Sequence, residues 1–329
     1  MGGFKSFEED LSTVNELNFD NIALSLFRFQ AEVNPVYKKY LTYLGVNPHN
    51  VSDVTSIPFL PIRFFKDHDV VTGDWKEEAI FLSSATSGLG QSHHKVKSLE
   101  AYLKNTTQIF SHFYGQPADF HFFALLPSYL ERDGSSLIEM VRHFIELSRS
   151  EFSAFYLQNR GELVKQIERA KKTQRKVMLL GVTFALMDLA EEAELDLANC
   201  IVMETGGMKG RREEITREEL HAFLGSRFNL PLVHSEYGMT ELLSQAYSPG
   251  KGYFQAPPGM KLIIRDINDP FKSLDVGKTG GINVIDLSNI YTCAFVETQD
   301  LGRIRQDGSF EVLGRIDNSD IRGCNLLVG

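Results

Sequence analysis

The chain has few of the features that mark disulfide-rich, membrane-spanning or nucleic-acid-binding proteins. Its 329 residues include 3 cysteines, an odd and small number that implies no disulfide framework and fits a reducing cytoplasm. No run of about 18 uncharged apolar residues occurs, so we expect no membrane span. The acidic N-terminal stretch MGGFKSFEEDL lacks the apolar core of a signal peptide. Lysine and arginine (34) are outnumbered by aspartate and glutamate (43), and the net charge of −9 argues against a nucleic-acid partner.

The remaining composition is that of an ordinary soluble globular protein, for which we expect a cytoplasmic location. Hydrophobic residues make up 43% of the chain, and its length allows one large or two modest domains with a substantial core. Because the net charge is negative, an anionic ligand has to be held by local donors and not by the field of the whole protein.

The order of predicted elements indicates an α/β fold. Residues 6–45 carry apolar residues at helical spacing, and residues 56–70 contain two prolines, which favours an extended loop or edge strand. Farther along, short apolar segments alternate with amphipathic ones. The predicted strands are 121–127, 151–157, 177–182, 200–207 and 231–238, and the helices between them are 137–145, 161–172, 184–194 and 216–228. Such alternation is typical of a mostly parallel sheet with helices on both faces.

Changes in sequence texture predict three parts. An N-terminal helical segment (1–80) packs on an α/β core (81–258), and a β-rich subdomain (259–329) follows, with short β-branched segments between glycine and aspartate turns. In open parallel sheets, ligands bind beyond the carboxyl ends of the strands. Three polar or glycine-bearing loops lie there, after Leu82, at 204–207 and at 236–241, and we expect them to converge.

The stretch FLSSATSGLGQSHHK (81–95) has the composition of a phosphate-binding loop. Its hydroxyls and glycines let several donors point at one anion. These residues are Ser83, Thr86, Ser87, Gly88 and Gly90. A helix expected to begin near Ser98 adds the free N–H groups of its first turn. A flexible Ser/Gly linker is the alternative. No Gly-Lys-Ser/Thr closes the loop, so it is not a Walker loop.

The second stretch with chemical content is EYGMTE (236–241). Thr240 offers a hydroxyl, Glu241 offers a carboxylate for a magnesium ion that bridges phosphates, and Tyr237 offers a ring that could stack on a flat base. The alternative is a strand end that runs into an ordinary turn.

Four motifs in order resemble the adenylate-forming superfamily of acyl-CoA ligases, peptide-synthetase adenylation domains and luciferases. They are LSSATSG (82–88), YGMTE (237–241), TQDLG (298–302) and GRIDNSDIRG (314–323). Within that superfamily, three further segments are similar to the acyl-protein synthetase of bacterial luminescence, and phenylacetate-CoA ligase is a more distant likeness. These segments are 126–141, 203–215 and 322–328. The resemblance covers nearly the whole chain from about residue 30 and implies the large N-terminal domain of such an enzyme.

The resemblance also implies roles for individual residues toward ATP and Mg²⁺. The loop from Ser83 to Gly90 would wrap the phosphates, and Thr240 and Glu241 would contact phosphate and magnesium. The remaining nucleotide contacts would be Gly206 and Gly207 at the adenine, Tyr237 and Gly238 beside the base and acyl group, and Asp300 and Arg315 at the ribose and phosphate. A carboxylate matches paired hydroxyls, and a guanidinium matches phosphate oxygens.

Two departures from the family pattern matter. Where the family loop carries a lysine, this chain has Gln91-Ser92-His93-His94-Lys95, so the charge is displaced or replaced by histidine. His94 is therefore a candidate catalytic residue, and a solvated position at a helix entry is the alternative. The family's mobile C-terminal lid with its catalytic lysine is expected to be absent. In the luminescence synthetase, which is similarly short, a cysteine near the C-terminus takes the acyl group, and Cys324 has the matching place. A thiolate there could attack an activated anhydride.

The leading hypothesis is ATP- and Mg²⁺-dependent activation of a carboxylic acid, taken to be a fatty acid, to acyl-AMP with release of pyrophosphate. The acyl group then passes to Cys324 and on to an acyl-acceptor protein; an acyl-donor protein is the alternative partner. Two alternatives stay open. One is transfer to coenzyme A with a lid supplied by another chain. The other is a non-catalytic subunit that binds nucleotide or acyl-AMP within an acyl-transfer or reductase complex.

Overall fold

The computed structural model describes residues 3–83, 91–127, 134–156, 159–206 and 215–316. The helices of this part of the chain are α1 (Phe4–Ser12), α2 (Phe19–Val33), α3 (Pro35–Tyr43), α4 (Phe64–Asp67), α5 (Leu99–Tyr114), α6 (Ser136–Ser148), α7 (Arg160–Ala170), α8 (Thr183–Glu192) and α9 (Arg217–Phe228). The strands are β1 (Leu60–Pro61), β2 (Ala79–Leu82), β3 (His93–Val96), β4 (Phe120–Leu125), β5 (Ala154–Phe155), β6 (Lys176–Val182), β7 (Ile201–Thr205), β8 (His234–Tyr237), β9 (Ala246–Ser248), β10 (Met260–Arg265), β11 (Gly280–Asp286), β12 (Phe295–Ile304) and β13 (Phe310–Arg315).

The chain folds into two compact units. The central unit comprises 78–91 and 98–254, and the terminal unit comprises 1–77, 92–97 and 255–329. No helix of the described residues is long and apolar enough to cross a membrane.

The central unit is built on a six-stranded sheet in the order β5-β4-β6-β7-β8-β9. The first five strands are parallel, and β9 is antiparallel to β8. Helices α6, α7, α8 and α9 connect the successive parallel strands. Adjacent residues of β8 contact helices on opposite faces of the sheet: His234 contacts Tyr114 of α5, and Ser235 contacts His221 of α9. The predicted parallel sheet with helices on both faces is confirmed.

The core of the central unit is aromatic. All six residues of β4 are buried, and the Phe110 ring of α5 lies 5.4 Å from Phe120, 5.6 Å from Phe122 and 4.7 Å from Phe144 of α6. Each buried phenylalanine contributes about 1.5–3 kcal/mol relative to an exposed one. Since these rings pack on one another, they form core and leave no room for a ligand among them.

Capping residues set the beginnings of the helices. Ser98, Ser135 and Asn159 each accept a hydrogen bond from the first turn of α5, α6 and α7, respectively. At α9, Thr216 and Glu219 form a capping box, in which each side chain accepts from the backbone N–H of the other residue. Such caps satisfy backbone N–H groups that the helix itself leaves unpaired.

The terminal unit contains the β-rich region expected after residue 259. Strands β10, β11, β12 and β13 pair antiparallel, and β1 joins β12 in parallel. The predicted Asp307-Gly308 turn connects β12 to β13, with Gly308 at φ +82°. Helix α2 attaches to this sheet through the buried Gln30, whose amide donates to the carbonyls of Asn289 and Ile290 and accepts from the N–H of Ala294.

Three local predictions are met only in part. Residues 56–70 contain the two-residue edge strand β1, which confirms the edge-strand alternative, and the short helix α4, which was not predicted. Strand β5 is shorter than the predicted 151–157, because serines at its start are engaged in local hydrogen bonds. Helix α5 begins at Leu99 with Ser98 as its cap, as predicted, but β3 lies between it and the glycine loop.

Candidate functional site

A polar edge of the central sheet lies where β7 and β8 end. These strands are adjacent and parallel, with Glu204 opposite Ser235 and Thr205 opposite Glu236. Both strands run directly into a glycine, Gly206 and Gly238. Two of the three loops that we expected to converge therefore share one edge of the sheet.

The turn at Gly206 depends on glycine and on a threonine from the neighbouring strand. Gly206 adopts φ +69°, a left-handed conformation that side chains disfavour. Its carbonyl accepts a hydrogen bond of 2.6 Å from the hydroxyl of Thr183, which begins α8 directly after β6. The ends of β6 and β7 are thereby held together at this edge.

On the α9 face of the sheet, Glu204 is a buried, charged carboxylate. The guanidinium Nε of Arg217 donates to its Oε1 at 3.0 Å, and Nε2 of His221 lies 3.7 Å from the same oxygen. Burial opposes ionisation of Glu204, but His221 and Arg217 outweigh it, and the pKa of this carboxyl is held below its ordinary value.

On the α5 face, the pKa of Glu236 is shifted in the opposite direction. Its Oε2 accepts a hydrogen bond of 2.5 Å from the Thr205 hydroxyl, and the residue is 8% exposed. Burial, partly opposed by the Thr205 hydrogen bond and reinforced by the charge of Glu204, raises the pKa of Glu236 to about 7. Neighbouring strands thus present one ionised carboxylate and one carboxyl that is half protonated near neutral pH.

The ring of Tyr237 meets the ring of Phe254 edge to face on the α9 face. It lies 5.9 Å from the ring of Phe254, which in turn lies 5.0 Å beneath the guanidinium of Arg217. Tyr237 is buried, so its ring has a fixed orientation at the end of β8. Arg217 contacts both Glu204 and this pair of rings, which couples the ion pair to the aromatic ring.

The residues after Tyr237 form a tight turn, in which the Leu242 N–H donates to the Met239 carbonyl. Thr240 is half-buried and Glu241 is buried. Helix α5 holds the outgoing segment, because Asn105 donates to the Leu243 carbonyl at 2.9 Å. The turn therefore has a defined backbone supported from two sides.

The oxygen atoms of Thr240 and Glu241 are of the kind that Mg²⁺ prefers. The described residues contain no group of three or more His, Cys, Asp or Glu side chains placed to hold a metal. A magnesium ion that enters with a nucleotide takes most of its ligands from phosphates and water, so a single protein carboxylate suits it.

His234 lies behind the turn as a neutral histidine. Its Nδ1 is 3.1 Å from the Tyr114 hydroxyl, and burial, followed by the charge of His221, lowers its pKa to about 4. This position, packed against α5, suits a supporting role better than a catalytic one.

Most of the glycine loop lies outside the described residues. Thr86, Ser87, Gly88 and Gly90 belong to that part, as do Gly207 and Cys324. Ser83 is described, at the end of β2, whose Leu82 N–H donates to the Gly134 carbonyl just before α6. Since α6 follows the carboxyl end of β4, β2 leads toward the same edge of the central sheet.

The terminal unit carries Asp300, Arg315 and His94. Asp300 and Arg315 are paired across β12 and β13, with Arg315 Nε 3.9 Å from Asp300 Oδ1. His94 is wholly buried on β3, with Nε2 3.0 Å from the Thr292 hydroxyl and its ring against Phe65. The alternative of a solvated helix-entry histidine is thus wrong for His94, and the buried site favours a structural role. Its catalytic role stays a prediction.

Sequence reasoning overlooked the side chains that support this edge. Glu204 and Glu236 were treated as parts of loops, and Thr205, Thr183 and Arg217 were not considered. The available signal was a pair of carboxylates at the ends of adjacent predicted parallel strands. Which face of the sheet each one occupies follows only from the register.

The chain matches no protein-family model and no curated protein sequence. Among solved structures, it is similar to ATP-bound MatB from Rhodopseudomonas palustris (TM-score 0.56, 17% identity, covering 74% of this chain and 50% of that one). It is also similar to 2-hydroxyisobutyryl-CoA ligase in complex with 2-HIB-AMP and CoA (TM-score 0.67, 13% identity, covering 93% of this chain and 72% of that one). A third similar structure is the luciferase-like enzyme of the nonluminescent mealworm Zophobas morio (TM-score 0.52, 17% identity, covering 75% of this chain and 60% of that one).

These likenesses confirm the predicted fold, that of the N-terminal domain of adenylate-forming enzymes. The chain spans about half the length of MatB. At such low identities the likeness concerns the fold alone, and the particular similarity to the acyl-protein synthetase of luminescence stays a prediction.

Proposed function

We propose that this chain activates a carboxylic acid with ATP, forming acyl-AMP and releasing pyrophosphate. The observation that carries the proposal is the joining of the METGG and EYGMTE segments at one edge of a parallel sheet. Of the structures with this fold, MatB holds ATP and 2-hydroxyisobutyryl-CoA ligase holds an acyl-adenylate. The carboxyl edge of such a sheet is where a nucleotide is expected to bind.

The fixed groups of this edge suit the parts of a nucleotide. Gly206, without a side chain and with its carbonyl held by Thr183, lets the adenine approach the backbone closely. Tyr237 supplies an oriented aromatic edge, and Gly238 leaves space beside it for the base and the acyl group. Asp300 and Arg315 of the terminal unit are assigned to the ribose hydroxyls and a phosphate on the strength of the motif resemblance.

In the first step, a carboxylate oxygen of the acid attacks the α-phosphorus of ATP. The bond between that phosphorus and the oxygen that bridges to the β-phosphate breaks, and pyrophosphate leaves with the electron pair. Bound Mg²⁺, held by Glu241, would neutralise charge on the phosphates. The protein's own contribution is to orient the reactants and to present donors to the developing charge, here the Thr240 hydroxyl and the loop from Ser83 to Gly90.

We further assign the acyl group to Cys324, with a fatty acid as substrate and a protein as final acceptor. The Cys324 thiolate adds to the acyl carbon of acyl-AMP, AMP leaves with the electron pair of the carbon–oxygen bond, and a thioester remains. This second step rests on the terminal motif RGCNLLV alone.

Carboxylate-dependent exchange of labelled pyrophosphate into ATP tests the first step. We expect exchange with at least one member of a panel of short, branched and long-chain acids, and strong loss in Glu241→Gln. The exposed Glu218 of α9 gives a matched control, and Glu218→Gln should exchange normally. Binding of Mg-ATP without exchange for any acid, unaltered by Glu241→Gln, would instead support a non-catalytic subunit.

Retention of labelled acyl on the protein tests the second step. We expect the wild-type protein to retain a label that hydroxylamine removes. The label should be absent from Cys324→Ser and present on Cys200→Ser. Label that persists in Cys324→Ser excludes the cysteine route, and label that appears only on added coenzyme A supports the ligase alternative.

A further inference from the structure

The side chain of Glu236 occupies the space that a residue with a β-carbon would need at position 238. A β-carbon built on Gly238 would lie 2.5 Å from Oε1 of Glu236, well inside any normal contact. The other carboxyl oxygen, Oε2, is held by the Thr205 hydroxyl. The carboxyl group is therefore wedged between the end of β7 and the backbone of the turn after β8.

At position 238 a β-carbon would displace this carboxyl oxygen, whereas the backbone conformation itself does not call for glycine. Gly206, by contrast, has φ +69°, whereas Gly238 is not among the glycines with positive φ. The Cβ atom of Gln245 lies 3.7 Å from the same built β-carbon, so Gln245 borders the space on that side. The Glu236 carboxyl thus connects the end of β7, through Thr205, with the backbone of the turn at Gly238.

The charges around Glu236 favour its uncharged form. The ionised Glu204 lies next to Thr205 on the neighbouring strand β7, on the opposite face of the sheet, and its charge acts on Glu236 from there. On the face of Glu236 itself lie the hydroxyls of Tyr102 on α5 and of Tyr247, the residue paired with Glu236 on β9. Burial raises the pKa of both tyrosines, so neither carries charge at neutral pH. No cation among the described residues is in hydrogen-bond or ion-pair contact with the Glu236 carboxyl.

We propose that Glu236 is a positioning residue whose carboxyl braces the Gly238 backbone and so sets the conformation in which the 237–241 turn receives the nucleotide. The proposal rests on the proposed function for the identity of the ligand. It does not make Glu236 a catalytic residue, because the carboxyl acts through Gly238. Ionisation would place a second negative charge beside Glu204 and loosen the brace.

Coupling between positions 236 and 238 tests the brace in the ligand-free chain. Gly238→Ala should lower the thermal midpoint, because its methyl group meets the carboxyl. In the Glu236→Ala background the same change should cost much less, since the obstructing group is gone. Equal costs of Gly238→Ala in the two backgrounds would show that Glu236 does not act through Gly238 and would overturn the proposal.

Binding of Mg-ATP between pH 6 and pH 8.5 tests the consequence. Glutamine keeps the shape and cannot ionise, so Glu236→Gln should bind ATP within a few-fold of wild type at pH 6, where Glu236→Ala binds poorly. Wild type should lose about tenfold in affinity relative to Glu236→Gln above pH 7, which corresponds to a change of one unit in the pKa of Glu236 on binding. Parallel pH profiles for wild type and Glu236→Gln would contradict the role of the neutral form.

The two tests separate this inference from the proposed function. If the coupling is present but wild type binds no ATP at any pH, the brace stands and the function fails. If ATP binds but the coupling is absent, the function stands and the brace fails.

Discussion

Replacing Glu236 by glutamine is expected to change how the stability of the chain depends on pH. The native carboxyl has a pKa of about 7, against 4.5 for an unperturbed glutamate. Below pH 4.5 both the native and the unfolded chain hold the proton, and no stability is lost. Between pH 4.5 and 7 the unfolded chain releases the proton while the native chain keeps it, so stability falls as pH rises, and above pH 7 the deficit stays constant. A shift of this size corresponds to about 3 kcal/mol.

The assay measures the free energies of unfolding of wild type and Glu236→Gln at pH 5 and pH 8. Unfolding in urea is monitored by circular dichroism. Other groups titrate over this range in both proteins, so the difference between the two isolates Glu236. We expect glutamine to gain roughly 2–3 kcal/mol on wild type between pH 5 and pH 8. Glu218→Gln, an exposed control on α9, should stay parallel to wild type. A Glu236→Gln curve that also runs parallel to wild type would refute the reasoning about the buried carboxyl.

Three further changes probe the supports of the site and of the fold. Arg217→Ala removes the guanidinium from the buried Glu204 and should destabilise by about 3 kcal/mol in urea unfolding, whereas Arg217→Lys should recover part of it. Gly206→Ala forces a side chain into φ +69° and should cost about 1–2 kcal/mol, measured the same way, and Asn at this position should cost less. Gln30→Leu keeps the volume but leaves the Ile290 carbonyl and the Ala294 N–H without their partner, at about 1–3 kcal/mol each, while the Asn289 carbonyl keeps the Thr292 N–H. A thermal midpoint equal to that of wild type would contradict this expectation.

The fold was predictable because its signals are local and repetitive. Apolar strands such as β4 and β6 alternate with amphipathic helices, and capping residues such as Thr216 mark where helices begin. Short elements were harder. Strand β5 and helix α4 are set by tertiary neighbours, which short stretches of sequence do not reveal.

The site was predictable as a set of loops but not as a set of supporting side chains. The rule that ligands bind at carboxyl ends of parallel strands placed Gly206 and Gly238 together correctly. The roles of Glu204 and Glu236 depend on a one-residue difference in register, which sends one carboxyl toward Arg217 and the other toward Thr205. Burial and neighbouring charge then separate their pKa values, and neither quantity can be read from residue types alone.

The most direct measurement of the central claim uses a carboxylic acid labelled with ¹⁸O in both carboxyl oxygens. The acid is incubated with the chain and Mg-ATP in the presence of hydroxylamine to take the acyl group, and the products are examined by mass spectrometry. Attack of the carboxylate on the α-phosphorus predicts AMP that carries one ¹⁸O atom, together with unlabelled pyrophosphate. Unlabelled AMP, or ADP with ¹⁸O in inorganic phosphate, would contradict activation through an acyl-adenylate.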